Sequence, residues 1–152
     1  MIHTISKGFI NADADEVYSV LKNIKMWPEI FPPCQNTRII KKTKAYEVVE
    51  ITSFTKGKTS SWESQRVFKD ENREISFKQL KTAKPLSIMQ GIWIVLPKEV
   101  GTEVVLKHTF CIKPLILQFF LGRIIKKFFV DANSDNEIAG LKKYCERGNK
   151  HR

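Results

Sequence analysis

The sequence predicts an α+β fold in which a seven-stranded antiparallel sheet carries one long C-terminal helix across a face. Three observations lead there. Apolar residues alternate at strand period near the start, switch to helical period once, return to strand period between Asn36 and Ile112, and become helical again after Pro114. The separators between the later strands are short and turn-rich, which suits antiparallel hairpins. The terminal stretch is the one segment long enough to cover a sheet of that width, and a sheet needs one face covered.

Residues 2–10 read as the first strand. "NADADEVYSVLKNI" follows, with Asp13 as N-cap, Glu16 three residues on, and Val17, Val20, Leu21 and Ile24 at helical spacing. This predicts a helix of about three turns. "MWPEIFPP" holds three prolines in eight residues and permits a short helix or turn, so two short helices follow strand 1. Six strands come next: "TRIIKKT", "AYEVVEITSF", "SSWESQRVF", "REISFKQL", "LSIMQGIWIVL" and "TEVVLKHTFCI", separated where a turn is marked by "TKGKT", "KDEN", "TAKP" and "PKEVG". After Pro114 the pattern is helical to about Glu146, with Asn133 to Asn136 as a polar interruption. "NEIAGLKKYCERG" is the closing amphipathic helix, which Gly148 suits as an end. Residues 1–147 are thus expected to form a single domain, and residues 148–152 a basic tail.

With 152 residues, 42% of them hydrophobic, the chain is long enough for one domain with its own core. The start "MIHTISKGFI" lacks the apolar run of a secretory leader, and no segment has the length to span a bilayer, so a cytoplasmic location is expected. Cys34, Cys111 and Cys145 are odd in number and widely spaced, with no C-x-x-C pair and no histidine at zinc-site spacing. Reduced thiols and no metal are expected. The net charge of +10 favours an acidic partner, but Lys and Arg are spread along the chain without a zinc-finger, RNP or helix-turn-helix pattern. Nucleic acid is therefore not the expected partner. An acidic protein or an anionic membrane surface satisfies the same electrostatics.

The stretch "TSSWESQRVF" carries the first functional signal. On a strand, Trp62, Ser64, Arg66 and Phe68 share one surface, half aromatic and half polar. That mixture belongs to a ligand cavity more than to a dry core, where an unpaired guanidinium is expensive.

Four segments in this order, "WPEIFP" in the second helix, "WESQRV" on a middle strand, "MQGIW" at Met89 to Trp93 and "GTEVVLKHTFCIKP" on the last strand, resemble the polyketide aromatase/cyclase family of the START-like helix-grip superfamily. The resemblance runs from about residue 3 to 146. It implies a helix-grip fold, with the sheet curved around the last helix and a deep cavity between them. There a poly-β-ketone of aromatic (type II) polyketide biosynthesis closes by intramolecular aldol reaction and loses water, with no metal and no organic cofactor. Trp62, Ser64 and Arg66 then correspond to an aromatic wall, a pocket hydroxyl and the arginine assigned to catalysis. Trp27 and Phe31 match the aromatics of "WPxxF", and Trp93 the wall tryptophan after Met89; Phe110 joins the wall. Three positions depart from the family pattern: Cys34 stands for a tyrosine, Gln79 for an arginine, and Leu106 with His108 for a tryptophan and a glutamine. These departures leave the regiochemistry of ring closure open.

The chemistry gives those residues work to do. Aldol closure removes a proton between two carbonyls and places negative charge first on an enolate oxygen, then on the new alkoxide. A guanidinium stays protonated and presents donors in a fixed plane, so Arg66 is expected to stabilise both oxyanions rather than act as base. His108, on the inward face if Leu106 and Phe110 are, is expected to move protons directly or through water on Ser64. The plainer alternatives stay open: Arg66 as an ordinary pair with Glu63, Glu50 or Glu103, His108 as a hydrogen-bonded core histidine, and Cys34 and Cys111 as inert thiols.

A second class is a carrier of the coenzyme-Q-binding type, which holds a lipid quinone without turning it over. "LILQFFLGRIIKKFFV" mixes an apolar set with Arg123, Lys126 and Lys127, as helices on anionic membranes do. The preferred reading makes it the lid of the cavity. The three cations, at i, i+3 and i+4, then meet an acyl carrier protein among the other polyketide synthase components.

Overall fold

The computed structural model describes residues 1–55, 57–82, 86–113 and 132–147, together with Arg123 and Lys126. Strand β1 (Ile2–Ile10) leads into α1 (Ala14–Lys22), a 3₁₀ turn (Ile24–Met26) and the one-turn α2 (Trp27–Ile30). Six strands follow: β2 (Cys34–Lys42), β3 (Tyr46–Thr55), β4 (Lys58–Lys69), β5 (Glu74–Lys81), β6 (Leu86–Pro97) and β7 (Thr102–Ile112). The last element is α3 (Ala132–Arg147). All strand pairs are antiparallel, in the order β1-β7-β6-β5-β4-β3-β2. Consecutive strands from β2 to β7 are neighbours, as short hairpins dictate, while β1 closes onto β7. The α1 and α2 segment therefore carries the chain from one edge of the sheet to the other.

Local chemistry accounts for these elements. The Asp13 side chain accepts from the Asp15 backbone N–H at 3.2 Å, and the Val17 N–H reaches the Asp13 carbonyl at 3.0 Å, which starts α1. Val17 and Leu21 are fully buried on its inner side. Asn23 ends α1 and caps the following turn by accepting from the Lys25 N–H at 3.3 Å. Pro28 sits in the first turn of α2, where no N–H is needed.

The inner face of the sheet is read from the register. Ser64 stands opposite Val49 and Gln79, Gly91 opposite Phe77 and His108, and His108 opposite Thr4. Helix α3 lies over this face through Ser134, Ile138, Leu141 and Cys145, all buried at i, i+3 and i+4 spacing. The approach is close. A Cβ on Gly8 would stand 2.4 Å from the Ile138 side chain, and one on Gly140 would stand 2.3 Å from the Ile30 carbonyl oxygen. Glycines at those two points let α3 press against β1 and α2.

One expectation is corrected here. Asn133 to Asn136 do not interrupt the helix; they belong to its first turns. Ser and Asp suit that place, because the first N–H groups of a helix lack intrahelical partners and favour oxygen-bearing neighbours. The segment from Leu115 to Asp131, Arg123 and Lys126 apart, lies outside the described residues. Among the described residues no helix is long and apolar enough to cross a membrane, and none forms a metal-ligand cluster. Cys34, Cys111 and Cys145 are all buried.

Candidate functional site

Arg66 is on the inner face, as the strand alternation predicts, but it does not open onto solvent. It and Glu47, its cross-strand neighbour on β3, are each only 2% exposed. The guanidinium is ion-paired to the Glu47 carboxylate through Nη1, which also donates to the Lys22 carbonyl at 3.1 Å, while Nη2 donates to the Leu21 carbonyl. The rings of Trp27 and Phe68 flank it at 5.1 and 5.3 Å. Trp27 Nε1 donates to the same Leu21 carbonyl at 3.1 Å. Arg66 thus satisfies carbonyls that the end of α1 leaves without partners, and ties α1 to β3 and β4. Burial pulls its pKa below the ordinary value, and the Glu47 carboxylate opposes that shift.

The partners expected from sequence, Glu63, Glu50 and Glu103, are not the ones used. Glu63 pairs with Lys81 at 3.2 Å and Glu50 with Arg38 at 3.5 Å, and both alternate away from the inner face. Glu103 stands opposite Phe9, two strands removed from β5 on the far side of the sheet. Glu47 had a usable signal. The hairpin between β3 and β4 pairs Thr55 with Lys58, and counting back along both strands brings Glu47 opposite Arg66.

A second polar group sits toward the other edge. His108 Nδ1 and Ser134 Oγ are 3.1 Å apart, joining β7 to α3, and the Phe77 ring meets the imidazole edge-on at 5.4 Å. Burial pulls the His108 pKa down to about 4, so the ring is neutral at neutral pH. Thr4, its neighbour on β1, has a buried hydroxyl without a hydrogen-bond partner among the described residues. Ser64 is buried between Val49 and the half-buried Gln79. Trp93 is buried against Phe31, the rings stacked at 6.2 Å. Met89 and Phe110 form a small apolar cluster of their own with Ile112.

Between these groups and the opposite edge lies a cavity of ≈ 90 Å³. Trp27, Phe31 and the Pro32-Pro33 turn form one side, Ile51 and Trp62 the floor, and Cys34 and Glu137 the back. Trp27 and Phe31 meet edge to face at 4.8 Å. Four residues singled out from sequence, Trp27, Phe31, Cys34 and Trp62, are therefore brought together. Ser64, Gln79, Met89, Trp93 and Phe110 share the inner face without lining this cavity. Arg123 is exposed and Lys126 half-buried, and Lys127 lies outside the described residues.

Glu137 was not anticipated. It is on α3, three residues after Ser134 and four before Leu141, and that spacing was the available signal. The residue is half-buried and makes no ion pair with the described residues. Burial pushes its pKa up to about 8. Cys34 beside it is pushed up to about 11, by burial first and by the Glu137 charge as well, and remains a thiol.

Residues 10–136 match the family model described as polyketide cyclase / dehydrase and lipid transport. The granaticin polyketide synthase bifunctional cyclase/dehydratase of Streptomyces violaceoruber is 29% identical over 150 residues, 96% of this chain and 44% of that protein. The chain thus spans under half the length of that curated relative. Among solved structures, the Zhui aromatase/cyclase of a Streptomyces species superposes with a TM-score of 0.85 at 24% identity, covering 96% of this chain and 94% of that one. The di-domain ARO/CYC BexL gives 0.80 at 29% identity, covering 94% and 46%.

Proposed function

Because the chain belongs to the polyketide cyclase/dehydrase and lipid transport family, we propose that it directs the aldol cyclisation and dehydration of a carrier-bound poly-β-ketone. The observation that carries this reading is the aromatic-walled cavity of Trp27, Phe31 and Trp62 on the inner face of the sheet. Flat aromatic walls favour the flat product ring and hold a flexible chain in a reactive fold, which converts ring closure into a well-oriented intramolecular step. Register shifts in β2, β5 and β6 support a sheet that bends around α3, since each bulge kinks its strand.

In this reading, His108 is the neutral group that takes a methylene proton, with Ser134 fixing its ring and Ser64 supplying a hydroxyl farther along the face. Gln79, Met89, Trp93 and Phe110 shape the surface on which the chain lies. Arg66 keeps the aromatic wall in place through Trp27; direct contact with an oxyanion requires it to loosen its hold on Glu47. This cavity has ≈ 90 Å³, below the roughly 300–1,000 Å³ of common small-molecule sites. Substrate entry therefore involves parting of α2 and α3. The basic residues Arg123, Lys126 and Lys127 are the proposed docking face for an acidic acyl carrier protein.

The test is reconstitution. Purified protein is added to a minimal polyketide synthase, and products are compared by mass spectrometry and NMR. A shift toward one cyclised, dehydrated aromatic product is expected. An unchanged distribution, with retention of a lipid quinone on the protein, would favour the non-catalytic carrier instead.

A further inference from the structure

We propose that Glu137 is a catalytic acid/base of the cavity, cycling one proton between its carboxyl group and the reacting chain; this rests on the cyclase reading above. The placement carries the argument. Glu137 occupies an inward position of α3, at the cavity wall, facing Trp27, Phe31 and Trp62 from α2 and β4. A carboxyl in an apolar surround is ordinarily paired, and this one makes no ion pair among the described residues. Holding a carboxyl partly out of water against aromatic rings carries a cost that a partner ordinarily offsets, and titratable groups held that way in a cavity cluster at functional sites. Cys34 from β2 is the titratable group that shares the wall with it; the lining residues from α2, β3 and β4 are uncharged. Because the thiol keeps its own proton, it does not compete for this role.

The proton balance is simple. As carboxylate, Glu137 removes a proton from a methylene between two carbonyls, and the enolate carbon forms the C–C bond to a distant carbonyl carbon. The resulting alkoxide takes the proton back from the carboxylic acid. In dehydration the carboxylate removes a second α-proton and hands it to the departing β-hydroxyl, which leaves as water and returns Glu137 to its carboxylate form, so no oxidant or cofactor enters. The pKa near 8 keeps the acid and the base within reach of each other at neutral pH. His108, toward the other edge of the inner face, then takes its methylene proton at a different position along the chain.

The experiment compares wild type with Glu137→Gln and Glu137→Asp in the reconstituted system, across pH 6 to 9. Glu137→Gln is close to isosteric and should slow directed cyclisation about a hundredfold or more. It should also remove the limb of the pH profile near 8, while Glu137→Asp restores part of the rate. Difference infrared spectroscopy on the free protein should show a protonated carboxyl band that disappears as pH rises past about 8 and is missing from Glu137→Gln. Wild-type rate and an unchanged pH profile in Glu137→Gln would overturn the proposal and leave the cyclase reading standing. So would equal losses in both variants with the pH limb intact, which mark a packing role. Wild-type protein with no effect on product distribution would sink the cyclase reading, and the role of Glu137 with it.

Discussion

Arg66 and Glu47 illustrate how far one residue's role depends on the atom it meets. The pair is buried at 2% exposure on both sides, so removing either partner strands a charge. Arg66→Ala and Glu47→Ala should each destabilise the fold by about 3–5 kcal/mol. Arg66→Met with Glu47→Leu should recover much of that loss, because the pair is then removed together. Urea unfolding of the three variants checks this, and an Arg66→Ala protein as stable as wild type would return the guanidinium to the cavity. Two other residues make stability depend on pH in opposite senses. The folded pKa of His108, about 4, lies below its ordinary 6.5. Its contribution is present above pH 6.5 and is lost as pH falls toward 4. The folded pKa of Glu137, about 8, lies above its ordinary 4.5, so its contribution is full below 4.5 and is lost as pH rises through 8. Between pH 6.5 and 8 only Glu137 titrates of these two, and wild-type melting temperature should fall there while that of Glu137→Gln stays flatter.

At the scale of elements, Gly140 sets the seat of α3. Alanine is ordinarily favoured over glycine in a helix by about 1 kcal/mol. Here its Cβ would press on the Ile30 carbonyl, a backbone atom that cannot swing aside. Gly140→Ala should therefore destabilise, by about 1–3 kcal/mol, and calorimetry showing a raised melting temperature would contradict the packing described. The elements themselves were largely legible: each of the six strands read between Asn36 and Ile112 lies within a few residues of its observed span, because alternation and turn residues are local signals. Register was legible only in part. The inner position of Arg66 follows from alternation, but its partner follows from pairing across a hairpin, and the nearest acidic residues in sequence point the wrong way. The polar run at Asn133 looked like a break because composition cannot tell a helix's first turn from a gap. Glu137 hid for a related reason, since one carboxylate in an amphipathic helix reads as surface until the helix has a neighbour.

For the whole molecule, the +10 charge is the property most open to an outside partner. Complementary charge speeds encounter without a large interface. Reversal of Arg123 and Lys126 together, as Arg123→Glu with Lys126→Glu, should weaken binding of an acidic carrier protein about tenfold or more. Binding should also fade toward ~0.5 M salt, where screening leaves only a few ångströms of reach. Titration calorimetry with carrier protein, beside flotation on anionic vesicles, separates the two partners: loss of vesicle binding with carrier binding unchanged would make the basic face a membrane contact. The closure of β1 onto β7 also orders events in time. Ile2 pairs with Phe110 and Ile10 with Thr102, so β1 must wait for β7, the last strand of this sheet in chain order. Until β7 arrives, β1 is an unpaired edge beside a growing meander, and the strand pairing with the largest separation in sequence completes the sheet. Such late, non-local pairing slows folding and lengthens the exposure of apolar edges. The same long-range pairing should make refolding from urea slow, with the β1–β7 pair among the last contacts to form.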